Sequence, residues 1–281
     1  MSRSALFADA IRGSALAGAV ADPQRLLDSA EARFLKDHLR TAVARVRIGE
    51  RDVYVKRFKP YAWYRRVGAA LSATPARTSW ENARRLERAG FFVPAPLAMV
   101  EDGADSYFVT EAVPGAEPAA DWWLRTSDGL APALRRRIVR SAARTLRRFH
   151  DSGLYSRDTN ANNFLLRLRR DGETEFFFLD LENVRPMRRV GRRRRVKNLV
   201  QLYRILRGRF SARDRLRFLL FYLGCHLPLG PAERGELRGW LDDLGRLDLR
   251  KESEYQARAR RQRRRGAHAE VGVTPPRPRR S

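Results

Sequence analysis

Residues 156–166 read Ser-Arg-Asp-Thr-Asn-Ala-Asn-Asn-Phe-Leu-Leu and place an aspartate, Asp158, five residues ahead of an asparagine, Asn163. The polar loop then gives way to an apolar run, which predicts that a β-strand begins at about residue 164. The two polar side chains are therefore expected where a loop enters a sheet.

A second strand follows the first across a tight turn. Residues 164–169 and 175–181 flank an Asp-Gly dipeptide, a strong signal for a β-hairpin. The second strand ends in a carboxylate, Asp180. Loop and hairpin together bring Asp158, Asn163 and Asp180 to one edge of a small sheet.

Phosphoryl transfer requires side chains of these types. One carboxylate orients the attacking hydroxyl and accepts its proton, while an amide oxygen and a second carboxylate hold Mg²⁺ against nucleotide phosphates. A cation is also needed for the α- and β-phosphates, and Lys56 lies in the middle of an alternating strand at 53–58. The set in this order predicts a phosphotransferase.

The same positions resemble the motifs of protein-kinase-like folds. Residues 53–56 (Val-Tyr-Val-Lys) resemble their strand lysine motif, and Arg157-Asp158 with Asn163 resembles their catalytic loop. Asp180 resembles their metal-binding aspartate. The resemblance implies a bilobal α+β fold, with a small strand-rich N-terminal lobe and a helical C-terminal lobe.

Further segments are similar to the lipopolysaccharide core kinases, which phosphorylate Kdo or heptose. The similarity runs from about residue 40 to 225 and includes Val-Tyr-Val-Lys-Arg-Phe at 53–58, Ser-Trp-Glu-Asn at 79–82 leading to Leu86 and Gly90, Val-Pro-Ala-Pro at 93–96, Phe-His-Asp-Ser-Gly at 149–153 and Leu-Asp-Leu-Glu-Asn at 179–183. The resemblance implies ATP and Mg²⁺ as cofactors and a sugar hydroxyl of the lipopolysaccharide core, on Kdo or heptose, as acceptor.

The resemblance also gives each residue of the set a role. Asp158 would be the catalytic base, and Asn163 and Asp180 would be the magnesium ligands. Lys56 would contact the nucleotide phosphates. Backbone amides of the hairpin at 42–55 would cradle those phosphates.

Lys56 is expected to pair with a carboxylate of the helix that follows its strand. The resemblance makes Glu81 the predicted helix partner of Lys56. Glu87 is the second candidate, because sequences that this one resembles often carry a glutamate where Ser79 stands here.

Four departures from the protein-kinase pattern narrow the prediction. Ser156 replaces the histidine before Arg157, Leu-Glu replaces Phe-Gly after Asp180, and no glycine-rich loop precedes Lys56. Asn198 stands where an aspartate that braces the catalytic loop is expected. Lipid-core and small-molecule kinases commonly lack the glycines, so their absence argues against a protein kinase more than against a kinase.

Strand patterns dominate the first part of the chain and helical patterns the rest, which predicts an α+β architecture with a hinge near 111–116. Helices are predicted at 77–89, 131–151, 196–207, 212–225 and 231–243. We expect an N-terminal lobe over residues 1–115, a C-terminal lobe over 116–249, and a basic tail over 250–281 that is mostly disordered.

The chain is strongly basic, with 58 Lys+Arg against 32 Asp+Glu and a net charge of +26. Only five of these cations are lysines, a skew that GC-rich codon usage or a physical role would equally produce. A surface this positive attracts nucleic acid, anionic lipid headgroups or phosphorylated glycans, and charge alone does not choose among them.

Four consecutive arginines, Arg192, Arg193, Arg194 and Arg195, lie soon after Asp180, where the substrate-facing segment of a kinase would lie. Guanidinium groups bind phosphate and carboxylate in bidentate fashion. We favour a role in substrate or membrane binding over a merely solvated helix face. The arginines of the tail would serve anionic lipid or nucleic acid equally well.

The sequence has no evident signal peptide and no apolar run of the ~20 residues that a membrane-spanning helix needs. We expect a cytoplasmic protein that is peripheral on the inner membrane. His150 is predicted to hydrogen-bond into the catalytic loop. Trp122 and Trp123 are predicted to serve in lobe packing or as a partner surface rather than as a substrate platform.

Two alternatives stay open. The first is a protein kinase or small-molecule kinase of the same fold. The second is a catalytically silent kinase-fold module that binds nucleic acid or anionic membrane through its arginines.

Overall fold

A computed structural model describes residues 3–59, 73–206 and 208–271, the last eleven of these as backbone only. The N-terminal lobe is built on six antiparallel strands in the order β1-β5-β6-β4-β3-β2. The strands are β1 (Ser4–Phe7), β2 (Arg33–Asp37), β3 (Thr41–Ile48), β4 (Arg51–Phe58), β5 (Pro96–Asp102) and β6 (Asp105–Glu111). The β3–β4 pair is the hairpin that the sequence predicts.

Strand β4 separates core residues from site residues by simple alternation. Val53 and Val55 are fully buried in the core. Tyr54 and Lys56 lie on the other face, and Lys56 pairs in register with Val43 of β3. The pleat therefore presents the lysine to the cleft between the lobes.

In the described residues of this lobe, three helices accompany the sheet: α1 (Ala15–Val20), α2 (Pro23–Leu27) and α3 (Pro75–Arg88). Helix α3 begins where the side chain of Thr74 accepts a hydrogen bond from the backbone N–H of Arg77, an N-cap. Its buried face includes Ala83 and Leu86, which pack in the core. Because Gly90 takes a left-handed backbone conformation just past the helix end, α3 stops as predicted.

The C-terminal lobe is mostly helical. Its helices are α4 (Ala119–Thr126), α5 (Pro132–Asp151), α6 (Arg192–Ile205), α7 (Ala212–Leu223) and α8 (Pro231–Val271). Two small sheets complete it, one of β7 (Glu117–Pro118), β9 (Phe164–Leu168) and β10 (Thr174–Phe178), the other of β8 (Leu154–Ser156) and β11 (Val184–Pro186). Trp122 and Trp123 of α4 are buried, which agrees with the first of their two predicted roles, packing within the lobe.

Gly153 fixes the path from α5 into the loop that carries Asp158. Its φ is +72°, and a Cβ atom there would stand 2.3 Å from the backbone oxygen of Met187. Only glycine allows the backbone segments at 153 and 187 to approach so closely. The approach lets β8 pair with β11, so the loop after β8 lies beside the segment after β10.

The prediction of a mostly disordered tail is wrong for its first part. Helix α8 continues through Val271, far past the predicted end at 243. Arg204 of α6 forms ion pairs with Asp248 and Glu252 of α8, and Arg250 pairs with Glu254 one turn later. These contacts add to helix stability in a segment that has few apolar residues. Residues 272–281 of the tail lie outside the described part.

Within the described ranges, no helix has both the length and the apolar character that crossing a membrane requires.

Candidate active site

A cleft of about 260 Å³ lies between the two lobes. Its walls are mainly apolar, and its residues come from the N-terminal sheet (Val43, Tyr54, Lys56, Phe108, Thr110), from the segment between the lobes (Glu111, Val113, Ala116) and from the hairpin β9–β10 and the turn after it (Leu165, Phe178, Leu179, Asp180, Leu181, Glu182). A smaller apolar cavity of about 70 Å³ inside the C-terminal lobe has no charged residue in its lining. Of these two cavities, the interlobe cleft is therefore the one that has charged residues in its lining.

One end of the cleft carries a compact group of charges. The Nζ atom of Lys56 lies 2.6 Å from Oδ1 of Asp180 and 2.7 Å from Oε1 of Glu182. Burial alone would lower the pKa of Lys56, but the two carboxylates outweigh it and hold that pKa above its ordinary value. The lysine is thus a permanent cation between two anions.

The backbone at Asp180 aims its carboxylate at Lys56. Among the residues that the structure describes, Asp180 is the one non-glycine residue with a positive φ, +50°. Left-handed backbone is unfavourable for most side chains by about 1–2 kcal/mol, although aspartate and asparagine tolerate it better. The chain turns sharply here from β10 into the short 3₁₀ turn Leu181–Asn183.

The predicted catalytic loop folds back on itself around Asp158. The side-chain amide of Asn163 donates to the backbone oxygen of Asp158 at 2.8 Å, and that of Asn160 donates to Oδ1 of Asp158 at 3.0 Å. Because the Asn163 backbone oxygen also accepts from Leu179 N–H at 2.9 Å, the loop is joined to the segment that ends in Asp180. Sequence order and hydrogen bonds therefore bring together the three predicted residues.

Two amide side chains of α6 hold the backbone of this loop. Asn198, fully buried, donates to the backbone oxygen of Ser156 at 2.8 Å. Gln201 donates to the backbone oxygen of Arg157 at 3.0 Å and accepts from Thr159 N–H at 3.4 Å. Asn198 does the bracing for which an aspartate was expected. Gln201 was not singled out from the sequence, although its position three residues later on the same helix face was a usable signal.

His150 supports Asn198 from α5. Its Nε2 lies 3.0 Å from Oδ1 of Asn198, and its Nδ1 lies 2.7 Å from the Tyr222 hydroxyl. Burial lowers the pKa of His150 to about 4 and raises that of Tyr222 to about 12. Because Oδ1 of Asn198 can only accept, we assign the proton of the neutral imidazole to Nε2. His150 thus reaches the loop through Asn198 and not directly.

Acid should destabilise the protein through His150. Between pH 4 and 6.5 the unfolded chain binds a proton on this histidine that the native protein excludes, so the free energy of unfolding rises with pH across that window. The contribution is complete above pH 6.5 and amounts to about 3 kcal/mol, which is lost as the pH falls to 4. Urea unfolding at several pH values should show it. His150→Gln, which keeps a donor and an acceptor, should flatten this dependence.

The control for that measurement is His226→Gln, because His226 is exposed. An unchanged slope in His150→Gln, or an equally flattened slope in His226→Gln, would contradict the assignment.

The predicted helix partner of Lys56 is wrong. Glu81 and Glu87 are both exposed, and Glu87 instead pairs with Arg84 of the same helix. Residue 81 is about 200° around the helix from Ser79, so it points away from the sheet. The second carboxylate on Lys56 is that of Glu182.

The hairpin at 42–55, the predicted phosphate cradle, contributes Val43 and Tyr54 to the cleft, and its role stays a prediction. A wide opening at the charged end of the cleft is lined by the β2–β3 hairpin, with Lys36, His38 and Arg40. Lys56, Asp180 and Glu182 line the same opening.

The arginine run divides into two parts. Arg192 forms an ion pair with Asp243 at 2.7 Å, and Arg195 forms one with Asp151 at 2.8 Å, so both bind elements of the fold. Arg193 and Arg194 are exposed, and Arg194 lies over the ring of Tyr155 in β8. Arg192 is exposed too, so the two parts differ in that Arg192 and Arg195 are held in ion pairs with acidic residues of the fold.

Comparison with known proteins identifies the family of the chain. The model of the "Lipopolysaccharide kinase (Kdo/WaaP) family" matches residues 19–222. The chain belongs to this family. Like other lipopolysaccharide kinases it is an enzyme of the kinase class, which confirms the resemblance read from its motifs.

Two similar proteins extend the comparison. This chain is 27% identical to the "Lipopolysaccharide core heptose(I) kinase WaaP" of Pseudomonas aeruginosa over 240 residues. The matched region covers 79% of this chain and 88% of the relative. A solved structure described as "WaaP in complex with acyl carrier protein" superposes with a TM-score of 0.64 at 23% identity, over 89% of this chain and 99% of that one. The second comparison confirms the bilobal α+β fold.

Proposed function

We propose that this kinase transfers the γ-phosphate of ATP, with Mg²⁺, to a sugar hydroxyl of the lipopolysaccharide core, on Kdo or heptose. The observation that carries the proposal is the Lys56–Asp180–Glu182 cluster at the end of the interlobe cleft, joined by hydrogen bonds to the loop of Asp158. Membership of the lipopolysaccharide kinase family supplies the acceptor class. The similarity to a heptose kinase favours heptose as the first sugar to test.

The shape of the cleft suits a nucleotide. Its inner part is lined by apolar side chains such as Val43 and Phe108, which fit a planar base. Its outer end carries Lys56 and opens beside the β2–β3 hairpin, with Lys36 and Arg40 at the edge. A base within and phosphates at the cationic end is the orientation that these charges favour.

The donor set also fits Mg²⁺. The described residues contain no cluster of three or more His, Cys, Asp or Glu side chains that would enclose a metal ion. Mg²⁺ does not need such a cage, because it binds through one or two carboxylates together with water and substrate phosphates. Asp180 and the side-chain oxygen of Asn163 are the ligands that we propose. When bound, the ion would neutralise charge that develops on the transferred phosphoryl group.

The chain's own residues would then act as follows. Lys56 holds the nucleotide phosphates, and its fixed position avoids the cost of reorganising charge during transfer. Asp158 orients the acceptor hydroxyl and takes its proton. Asn198 and Gln201 keep the Asp158 loop in one conformation. This rigidity supplies the alignment on which transfer depends.

Anionic groups on the acceptor or on the membrane would account for the exposed positive charge outside the cleft. We propose that Arg193 and Arg194 bind anionic groups of the glycolipid or of the inner membrane, at whose cytoplasmic face the protein would act as a peripheral enzyme. An acyl carrier protein, which the solved WaaP neighbour binds, is a further partner that the similarity suggests. Nucleic acid stays a candidate for the basic tail alone.

The test is a transfer assay with labelled ATP, Mg²⁺ and deacylated core oligosaccharide, run beside an Asp158→Ala variant. We expect label on the oligosaccharide with the wild type only. Transfer that persists in Asp158→Ala would remove the proposed mechanism. Failure with every glycan, together with tight and salt-sensitive RNA binding, would favour the silent module.

A further inference from the structure

Lys56 has its carboxylate partner in an unexpected place. Helix α3 places Ser79, only 1% exposed, against Glu182, and it brings no carboxylate of its own to Lys56. The hydroxyl of Ser79 donates to the backbone oxygen of Pro75 at 2.8 Å and lies 3.4 Å from Oε2 of Glu182. The other oxygen of Glu182, Oε1, is the one that contacts Lys56 at 2.7 Å. A carboxylate thus fills the space between Ser79 and Lys56, but it comes from the turn after Asp180.

The same helix holds that turn in place. Asn82, one helical turn beyond Ser79, donates from its side-chain nitrogen to the backbone oxygens of Leu181 at 2.8 Å and Val184 at 3.1 Å. Asn82 is 2% exposed, and Oδ1 of Asn82 accepts from Arg85 at 2.6 Å. Ser79 and Asn82 therefore fix Glu182 from one face of α3.

The two carboxylates on Lys56 differ in what else they can bind. The Asp180 side chain is 37% exposed and belongs to the proposed magnesium pair, whereas that of Glu182 is 19% exposed and lies against α3. If a metal ion draws the charge of Asp180, Lys56 needs another anion to stay in place.

We propose that Glu182 does for Lys56 what a helix glutamate does in protein kinases: it positions the lysine for the nucleotide phosphates while Asp180 binds the metal. Glu182 is a positioning residue in this account, because it acts through Lys56. The inference rests on the proposed function for its nucleotide and its metal. It goes beyond that function in naming the residue on which the lysine depends.

A consequence follows for control of the kinase. Where the carboxylate stands on the helix, movement of that helix can make or break the ion pair. Here Glu182 and Asp180 are two residues apart on one turn, and both contact Lys56. The ion pair of the lysine therefore does not depend on a carboxylate carried by α3.

The test exchanges the two side chains. Glu182→Ser, Ser79→Glu and the double variant are compared with wild type, and the double variant conserves both the total volume and the charge. Steady-state kinetics give kcat and the KM for ATP, while calorimetry gives ATP affinity with and without Mg²⁺. We expect Glu182→Ser to weaken ATP binding and kcat/KM by about tenfold to a hundredfold, as for the loss of a charged hydrogen bond. The double variant should recover to within about threefold of wild type.

Two further variants keep the result interpretable. Glu182→Gln retains the shape of the side chain and removes its charge, so it should show the same loss of ATP binding even where the exchange disturbs folding. Glu81→Gln changes an exposed carboxylate of α3 and should leave ATP binding and kcat/KM unchanged. Thermal unfolding of each variant identifies loss of structure.

The outcomes separate the inference from the function. If Glu182→Gln binds ATP as tightly as the wild type does, the inference is overturned and the proposed function still stands. A folded double variant that stays as weak as Glu182→Ser would also overturn it, because Glu182 would then act elsewhere. Loss in Glu182→Gln and recovery in the double variant would support the inference even where no glycan accepts phosphate.

Discussion

Replacing Asp158 by asparagine is expected to lower kcat for phosphoryl transfer by about a hundredfold to ten-thousandfold, with little change in the affinity for ATP. Asparagine keeps the size of the side chain, and its oxygen can still accept the hydrogen bond that Asn160 donates at 3.0 Å. It cannot take a proton from the acceptor hydroxyl at neutral pH. The loss should therefore fall on the chemical step.

A change at Asp158 should separate the chemical step from ATP binding. Asp158 is exposed, and the carboxylates that contact Lys56 are those of Asp180 and Glu182. Single-turnover transfer gives the rate of the step, and calorimetry gives the ATP affinity. Asp242→Asn, an exposed change on α8, is the control and should behave as wild type. A variant at 158 that loses ATP binding as strongly as it loses transfer would show that Asp158 holds nucleotide rather than acceptor.

Asp180→Asn is expected to abolish the gain in ATP affinity that Mg²⁺ provides, and to lower transfer by about a thousandfold or more. The amide is a far weaker magnesium ligand than the carboxylate. Asparagine tolerates the left-handed backbone at this position, so the fold should be kept. Lys56 retains Glu182 at 2.7 Å and stays in place.

The measurement is a pair of ATP titrations, with Mg²⁺ and with a chelator, on wild type and on Asp180→Asn. Unfolding temperatures without ligand should be similar, because the backbone conformation is preserved. Asp180→Ala provides the contrast, since alanine accepts a positive φ poorly and should also lower stability. Magnesium that tightens ATP binding equally in wild type and Asp180→Asn would contradict the role of Asp180 as a ligand.

The parts of the fold that the sequence predicts well are those fixed by local patterns. The hairpin of β3 and β4, the long α5 and the pair β9–β10 each combine clear periodicity with a turn or glycine at the end. The order of Asp158, Asn163 and Asp180 is enough to place them together, because a hairpin connects them over a short distance.

Longer-range features escaped the same reasoning. Strand β5 is a continuous buried run behind two prolines, and it shows no alternation. One of its partners, β1, lies more than eighty residues earlier in the sequence. A pattern within a short stretch of sequence cannot predict a pairing over that distance. The error over Glu81 had a local remedy, since the helical period places residue 81 opposite the buried Ser79. That Glu182 would fill the space is a tertiary fact, since it depends on Asn82 fastening the turn to α3.

Because the protein has few lysines, chemical labelling of lysine can report on the state of Lys56. Acylating reagents modify unprotonated amines, and the chain offers only five lysines. Lys36, Lys197 and Lys251 are exposed, whereas Lys56 lies between two carboxylates that keep its amine protonated and shielded. In a peptide map after acylation, the label on Lys56 relative to the three exposed lysines is thus a footprint of the cleft. One peptide reports whether that ion pair is closed or open, and no acceptor sugar is needed to read it.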